Sequence, residues 1–300
     1  MNLESYYVFS EVAHAGNLTA VARALNYSQP GISHIIASLE KECGFALFTR
    51  SKSGVKLTEH GKIFLEYCRE VLLADERLHD TISNLNGDVV GCLQIGCYIS
   101  IANSLLPDII NDMHRLYPHL QFSINNYEPN QEFETLKQGF LDIAFGMSDC
   151  PAGYDFIPLL RDPSVCVLPK GHPLAEKSSL TTEDLEQYEL LIQHDRCATE
   201  LRALFGHRYS ELTSSCMFNY DPMMIHLVER GYGLGVTSKL LIQPHYNIEV
   251  RPFTPPVERI IGLIIPKRKP MTLATQRFVD LVCKKLQSDE FKEQEGMSNQ

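Results

Sequence analysis

The chain of 300 residues lacks the motifs that would mark an enzyme. It holds no Gly-x-Ser-x-Gly elbow, no P-loop and no dinucleotide fingerprint, so no motif supports hydrolase, nucleotide or hydride-transfer chemistry. Gly231-Tyr232-Gly233-Leu234-Gly235 follows a helical segment and enters a strand, where helix-stop glycines explain it. The nine cysteines form no Cys-x-x-Cys pair. His194-x-x-Cys197 is at most half a zinc site, since no second ligand pair has matching spacing. No cofactor or metal is expected, and in a reducing compartment most of these thiols act as small buried hydrophobes. No run is apolar enough to span a bilayer, and Met1-Asn2-Leu3-Glu4 has neither the charged nor the apolar region of a signal peptide. A cytoplasmic protein without a membrane partner is the expectation.

Positive charge is scarce too. The net charge of −10 argues at first sight against a nucleic-acid partner. The deficit is uneven: residues 1–86 hold eight Lys/Arg against ten Asp/Glu, and the remaining 214 hold nineteen against twenty-seven. The N-terminal end is nearly neutral, and within it Arg50, Lys52 and Lys56 fall inside seven residues, with Arg23 upstream. Affinity for a polyanion would then come from paired binding heads more than from one basic patch. At 44% hydrophobic and 21% charged residues the composition is that of an ordinary globular protein, long enough for two or three domains.

What the chain does contain is concentrated in Leu25–Glu40. Ile32, Ile35, Ile36 and Leu39 recur at i, i+3, i+4 and i+7, so one stripe of a helix faces a core. Ser28 sits at the N-cap position and Pro30 in the first turn, where a missing N–H costs nothing. The opposite face carries Gln29, Ser33 and His34, short polar groups able to meet base edges or phosphates. An amphipathic surface helix is the plainer reading of this segment alone, and its flanks favour a helix-turn-helix. A helix is expected over 4–15 and a short one over 20–25 capped by Thr19. A third runs from Ser28 to about Cys43 and stops at Gly44. Residues 45–57 read as two short strands around Lys52-Ser53-Gly54, a wing. Thr58 then caps a long helix reaching about Asn86, on which Phe64, Val71, Leu78 and Leu85 recur every seven residues, flanked by Tyr67, Ala74 and Ile82. That is a heptad seam suited to a second copy of itself; packing on its own domain is the alternative. Beyond residue 87 strand and helix patterns alternate, which implies an α/β layout with a mostly parallel sheet, in two lobes.

These features resemble the LysR-type transcriptional regulators over nearly the whole chain. The resemblance is carried by Leu3…Phe9, Ala22-x-x-Leu25, Ser28-Gln29-Pro30, Ile32-Ser33, Leu39-Glu40, Gly44, Leu47-Phe48-x-Arg50 and Leu57-Thr58-x-x-Gly61. Lys170-Gly171-His172-Pro173-Leu174 and Val228-x-x-Gly231-x-Gly233-Leu234-Gly235-Val236 extend it more weakly. Val21 and Gly31 stand where the family mostly has alanine, and His34 replaces a frequent Arg or Gln. The resemblance implies an all-α winged helix-turn-helix over 1–58, a dimerising linker helix over 59–88 and a two-lobed effector domain like a periplasmic binding protein over 89–290. Lobe one would take about 90–160 and 266–288, lobe two about 162–265, and 291–300 would be a polar tail. It also implies double-stranded promoter DNA and a small-molecule effector as partners, in a homodimer through the linker helix and a homotetramer beyond it.

Candidate DNA contacts are Ser28, Gln29, Pro30, Ser33 and His34 on the helix, with Arg50, Lys52 and Lys56 on the wing for phosphates. Effector candidates are residues at the carboxyl ends of strands and the N-termini of helices: Ser100, Asn130, Gln131, Gly146, Met147, Arg196, Thr199 and Thr237. Hydroxyls, helix N-termini and one arginine would suit a small anionic metabolite, a carboxylate or another small anion. For each of them a helix cap or surface salt bridge is the competing role. Some relatives sense peroxide through a cysteine pair in this region. Cys197 falls close to the first of that pair, position 206 is Gly, and Cys216 is the nearby candidate for a partner. A solute-binding protein or an enzyme on the same lobes are further alternatives.

Overall fold

The computed structural model describes residues 2–51, 54–85, 89–194, 199–218, 220–267 and 271–287, with only the backbone described at 50, 51, 76, 77, 80, 83–85 and 199. The head comprises α1 (Leu3–Ala15), α2 (Leu18–Ala24), α3 (Gln29–Cys43), β1 (Phe48–Ser51) and β2 (Gly54–Leu57), and α4 (Glu59–Leu85) leaves it. Each helix end has a chemical cause. Ser28 caps α3 by accepting the Gly31 N–H at 3.1 Å, and Gly44 stops it in the left-handed conformation at φ 78°. For α2 the cap is Asn17, not Thr19: one Asn17 carboxamide oxygen takes the N–H groups of both Thr19 and Ala20. Ile32, Ile36 and Leu39 of α3 pack with Val8, Phe9, Val12, Leu47 and Leu65 in one core.

The wing is stapled to the helices by backbone. Leu47 and Phe48 donate to Glu40 Oε1 at 2.7 and 3.1 Å, and Val55 donates to the Gly16 carbonyl at 2.9 Å. Thr58 caps α4 as expected, accepting from Gly61 N–H at 2.9 Å. Gly61 is required there, because a Cβ would stand 2.1 Å from the Leu47 carbonyl oxygen. The first turns of α4 belong to the head: Phe64 stacks edge-on against Phe9 at 5.2 Å, and Leu65 and Cys68 are buried. Phe64 is therefore not part of an outward seam. On another face of α4, Ile63, Tyr67, Val71, Ala74, Leu78 and Ile82 form an exposed ridge with spacings of three and four residues. Arg69, bonded to Ser10 at 2.8 Å, lies over the Phe140 ring at 4.5 Å and ties the head to the second half of the chain.

That half contains β3 (Gly91–Cys97), α5 (Ile99–Ser104), α6 (Leu106–Leu116), β4 (Leu120–Asn126), α7 (Gln131–Lys137), β5 (Ile143–Met147), β6 (Tyr154–Pro169) and α8 (Thr182–Leu185). It continues with β7 (Ile192–Gln193), α9 (Thr199–Phe205), β8 (Met217–Phe218), α10 (Asp221–Glu229), β9 (Gly235–Ser238), β10 (Ile248–Pro252), β11 (Glu258–Pro266) and α11 (Leu273–Leu286). The helical stretch 99–116 is broken in two, with Pro107 near the start of α6, where its missing N–H is tolerated. The expectation of a mostly parallel sheet fails. The strand order is β10-β6-β11-β5-β3-β4 with β9 also on β6; among the described residues the parallel pairs of this sheet are β3 with β4 and β3 with β5, and β7 and β8 form a separate parallel pair.

The reason lies in β6. It is 16 residues long: its first part pairs antiparallel with β11, and its second part with β9 and β10. The chain thus passes between lobes on β6 and returns on β11, which begins at Glu258 and pairs with β5. One core joins β3, β5, β11, α6 and α11; separate cores lie under β9 and α9 and under α10. Cys68, Cys97 and Cys166 are buried, and desolvation pushes each thiol up to about 12. No helix among the described residues is long and apolar enough to cross a membrane.

Candidate DNA interface and inter-lobe cleft

On the head, burial of the Ile32–Ile36–Leu39 stripe forces the opposite side of α3 outward. Ser28, Gln29, Pro30 and His34 are exposed, and Ser33 is half-buried beside them. Pro30, His34, Ala37 and Lys41 line one exposed ridge at i, i+4, i+7 and i+11. Ala37 and Lys41 were not among the expected contacts, although the same helical period identifies them. Lys56 is exposed on β2 opposite Thr49, whose hydroxyl donates to the Lys56 carbonyl at 3.2 Å. The backbone of Arg50, on β1, pairs with Val55 of β2, and Lys52 lies outside the described residues.

The second site lies where the lobes meet, and its centre is a residue that sequence reasoning missed. Arg259, near the start of β11, has a side chain only 15% exposed. Its guanidinium contacts Asp162 of β6 at 2.8 Å, Glu200 of α9 at 3.0 Å and the Ser100 hydroxyl of α5 at 2.9 Å. Asp162 also accepts the Leu240 N–H at 3.1 Å. One cation therefore ties the crossing strands to an element of each lobe. Burial opposes its charge, but Glu200 and Asp162 outweigh that and raise its pKa above the ordinary arginine value.

Two further carboxylates flank this centre. Asp221 opens α10 and accepts from the Gln193 carboxamide, Nε2 to Oδ1, at 2.5 Å. Its pKa is pushed up to about 6 by burial first and by Glu200 second, against the Gln193 hydrogen bond and Arg259. On the lobe-one side Glu132, 2% exposed, accepts the Tyr98 hydroxyl at 2.8 Å. Burial raises the pKa of both: Glu132 feels Asp149 as well, and Tyr98 feels Glu132.

Of the expected effector residues, Ser100 and Thr237 are buried at 3% and 1% exposure, and Ser100 holds Arg259. Gly146 is buried at the end of β5, where a Cβ would come within 3.4 Å of Glu132 Oε1; Met147 beside it is half-buried. Asn130 and Gln131 are exposed, and the Gln131 carboxamide bonds Glu128, so the residue of that turn directed inward is Glu132. Thr199 opens α9 with only its backbone described, and Arg196 and Cys197 lie outside the described residues. Cys216 is half-buried, its N–H donating to the Ser214 hydroxyl at 3.1 Å.

The charge on the half-buried Asp221 has a measurable consequence. Its folded-state pKa lies above the unfolded value near 3.8, so the folded chain holds the extra proton between about pH 4 and 6. Stability from this group is thus greatest below that window and falls as pH rises through about 6. Asp221→Asn is expected to raise stability by about 1–3 kcal/mol at pH 7.5 and to lose that advantage towards pH 4. Melting midpoints of both proteins across this range check it; a constant difference would contradict it.

The sequence matches a family described as "Bacterial regulatory helix-turn-helix protein, lysR family" over residues 3–62 and one described as "LysR substrate binding domain" over residues 86–287. The HTH-type transcriptional regulator CatR of Pseudomonas putida is 33% identical over 251 residues, covering 82% of this chain and 85% of CatR. A full-length single-residue variant of OxyR from Pseudomonas aeruginosa has the same fold, with a TM-score of 0.72 at 24% identity over 94% of this chain and 98% of OxyR. Full-length CbnR, solved with its target DNA, has a TM-score of 0.63 at 22% identity over 95% and 99% of the two chains. With both matched regions in chain order and a winged head ahead of two α/β lobes, the chain belongs to the LysR family of helix-turn-helix transcriptional regulators.

Proposed function

We propose that this protein is a homo-oligomeric regulator that binds double-stranded promoter DNA through α3 and the wing, and responds to a small molecule held between its lobes. The observation that carries the reading is the outward face of α3. A capped, proline-stiffened turn presents Gln29 at the N-terminus of a helix whose opposite side is locked into the core. Gln can pair with adenine N6 and N7, and a helix N-terminus favours phosphate. Lys56, with Arg50 and Lys52, would contact backbone phosphates. Such a regulator works in the cytoplasm. The exposed α4 ridge supports pairing of two linker helices, and a homotetramer would follow from further contacts between effector domains.

A gel-shift assay on DNA flanking the protein's own gene tests the reading. Gln29→Ala is expected to lose about 1–3 kcal/mol of discrimination between specific and random DNA. Arg50→Ala should weaken both about equally and reduce the salt slope by about one. Identical behaviour of the two variants in a salt titration would contradict this division of labour.

For the effector, Arg196 and the helix N-termini point to a carboxylate on sequence grounds. The described cleft offers little support for that class, because its buried arginine is already held by two carboxylates. Redox sensing by Cys197 and Cys216 is the weaker alternative: Cys216 is half-buried with its N–H held by Ser214, and Cys197 lies outside the described residues.

A further inference from the structure

We infer that the effector of this protein is a cation, an organic amine or guanidine bound between Asp221 of lobe two and Glu132 of lobe one. This rests on the reading that the cleft is the effector site. Charge is the first observation. Among the described residues, Glu132 and Asp149 are close enough to Tyr98, and Asp162, Glu200 and Asp221 close enough to Arg259, to interact electrostatically, and Arg259 is the cation among them. Arg259 is committed to Asp162 and Glu200 at 2.8 and 3.0 Å, which leaves it no full charge for a ligand carboxylate. Among the described residues, the donors to Asp221 and Glu132 are instead neutral: the Gln193 carboxamide for the first, the Tyr98 hydroxyl and backbone N–H groups for the second. The neighbouring Asp195 and Arg196 lie outside the described residues and carry opposite charges.

The second observation concerns atoms rather than charge. Among the described residues, Glu132 Oε2, Gln193 Oε1 and Thr237 Oγ1 are buried without a hydrogen-bond partner, on residues 1–2% exposed. The orientation of Gln193 is set by Asp221, which needs the amide N–H, so the amide oxygen is the end left over. Glu132 Oε1 takes the Tyr98 hydroxyl, so Oε2 is likewise left over. Two of these three atoms can only accept, and the threonine hydroxyl can do so as well. Buried acceptors call for a donor, and an ammonium or guanidinium supplies several donors with the charge that the carboxylates lack. An anion would bring further acceptors to a site already short of donors.

The test is thermal melting of the full chain at pH 7.5 and fixed ionic strength, with 1,4-diaminobutane, benzylamine and agmatine set against succinate and benzoate. At least one amine is expected to raise the midpoint by several degrees at millimolar concentration, and neither acid is. Asp221→Asn and Glu132→Gln keep the shape and hydrogen bonding of each side chain, and each should weaken amine affinity at least tenfold. Their ligand-free melting shows that they fold. A shift with the acids alone, no shift with any amine, or an undiminished amine response in both variants overturns the inference. The regulator reading fails separately: acid-induced changes in a promoter footprint would retain it while removing the cationic class, whereas absence of DNA binding would remove it whatever binds the cleft.

Discussion

Arg259→Leu is expected to destabilise the effector domain by about 3–5 kcal/mol, the usual cost of deleting one partner from a buried ion pair. Asp162 and Glu200, with side chains 0% and 8% exposed, would remain inside without their cation. The Ser100 hydroxyl would lose its donor at the same time. For a domain of this size the melting midpoint should fall by roughly 10 °C, which calorimetry would resolve from the melting of the head. Arg259→Lys should recover part of the loss, because an ammonium keeps the charge but cannot reach three partners as a planar fork does. A loss below about 1 kcal/mol for Arg259→Leu would mean that water, not the guanidinium, solvates these carboxylates.

The second large effect belongs to the linker helix. Val71→Glu combined with Leu78→Glu is expected to yield a monomer whose affinity for a two-site promoter fragment is lower by about 100-fold or more. Val71 and Leu78 are 45% and 57% exposed in the single chain, so charges there should leave the head folded. In a paired helix the same positions would bring four carboxylates into one seam. Without pairing, each head binds alone and the gain from linking two heads, about 10²–10⁴-fold, disappears. Sedimentation gives the mass, and a gel shift gives the affinity. A variant that stays dimeric with unaltered affinity would show that oligomerisation uses another surface.

Most of the head is legible residue by residue, because its elements are set by neighbours close in sequence. Ser28, Pro30 and Gly44 delimit α3, and the period of Ile32, Ile36 and Leu39 orients it. The cap of α2 is less legible, because Asn17 and Thr19 are both good caps, and only geometry shows which oxygen reaches two N–H groups. Phe64 fits a heptad by spacing, yet it faces the head's core, since the first turns of α4 pack on α1 before the helix emerges. The short edge strand β10 is not legible in the sequence. Its Glu249 and Arg251 interrupt the apolar pattern, and pairing with β6 supplies the missing constraint.

What the sequence determined by itself, then, is everything governed by local period and capping: the helix-turn-helix, the wing, the long linker and the presence of two α/β lobes. Tertiary structure alone decided how the lobes join and what lies between them. Arg259 is 97 residues from Asp162 and 159 from Ser100, and no short-range pattern links such positions. They meet because β6 and β11 run antiparallel across the junction, and because a buried guanidinium is stable only where carboxylates from distant elements converge on it.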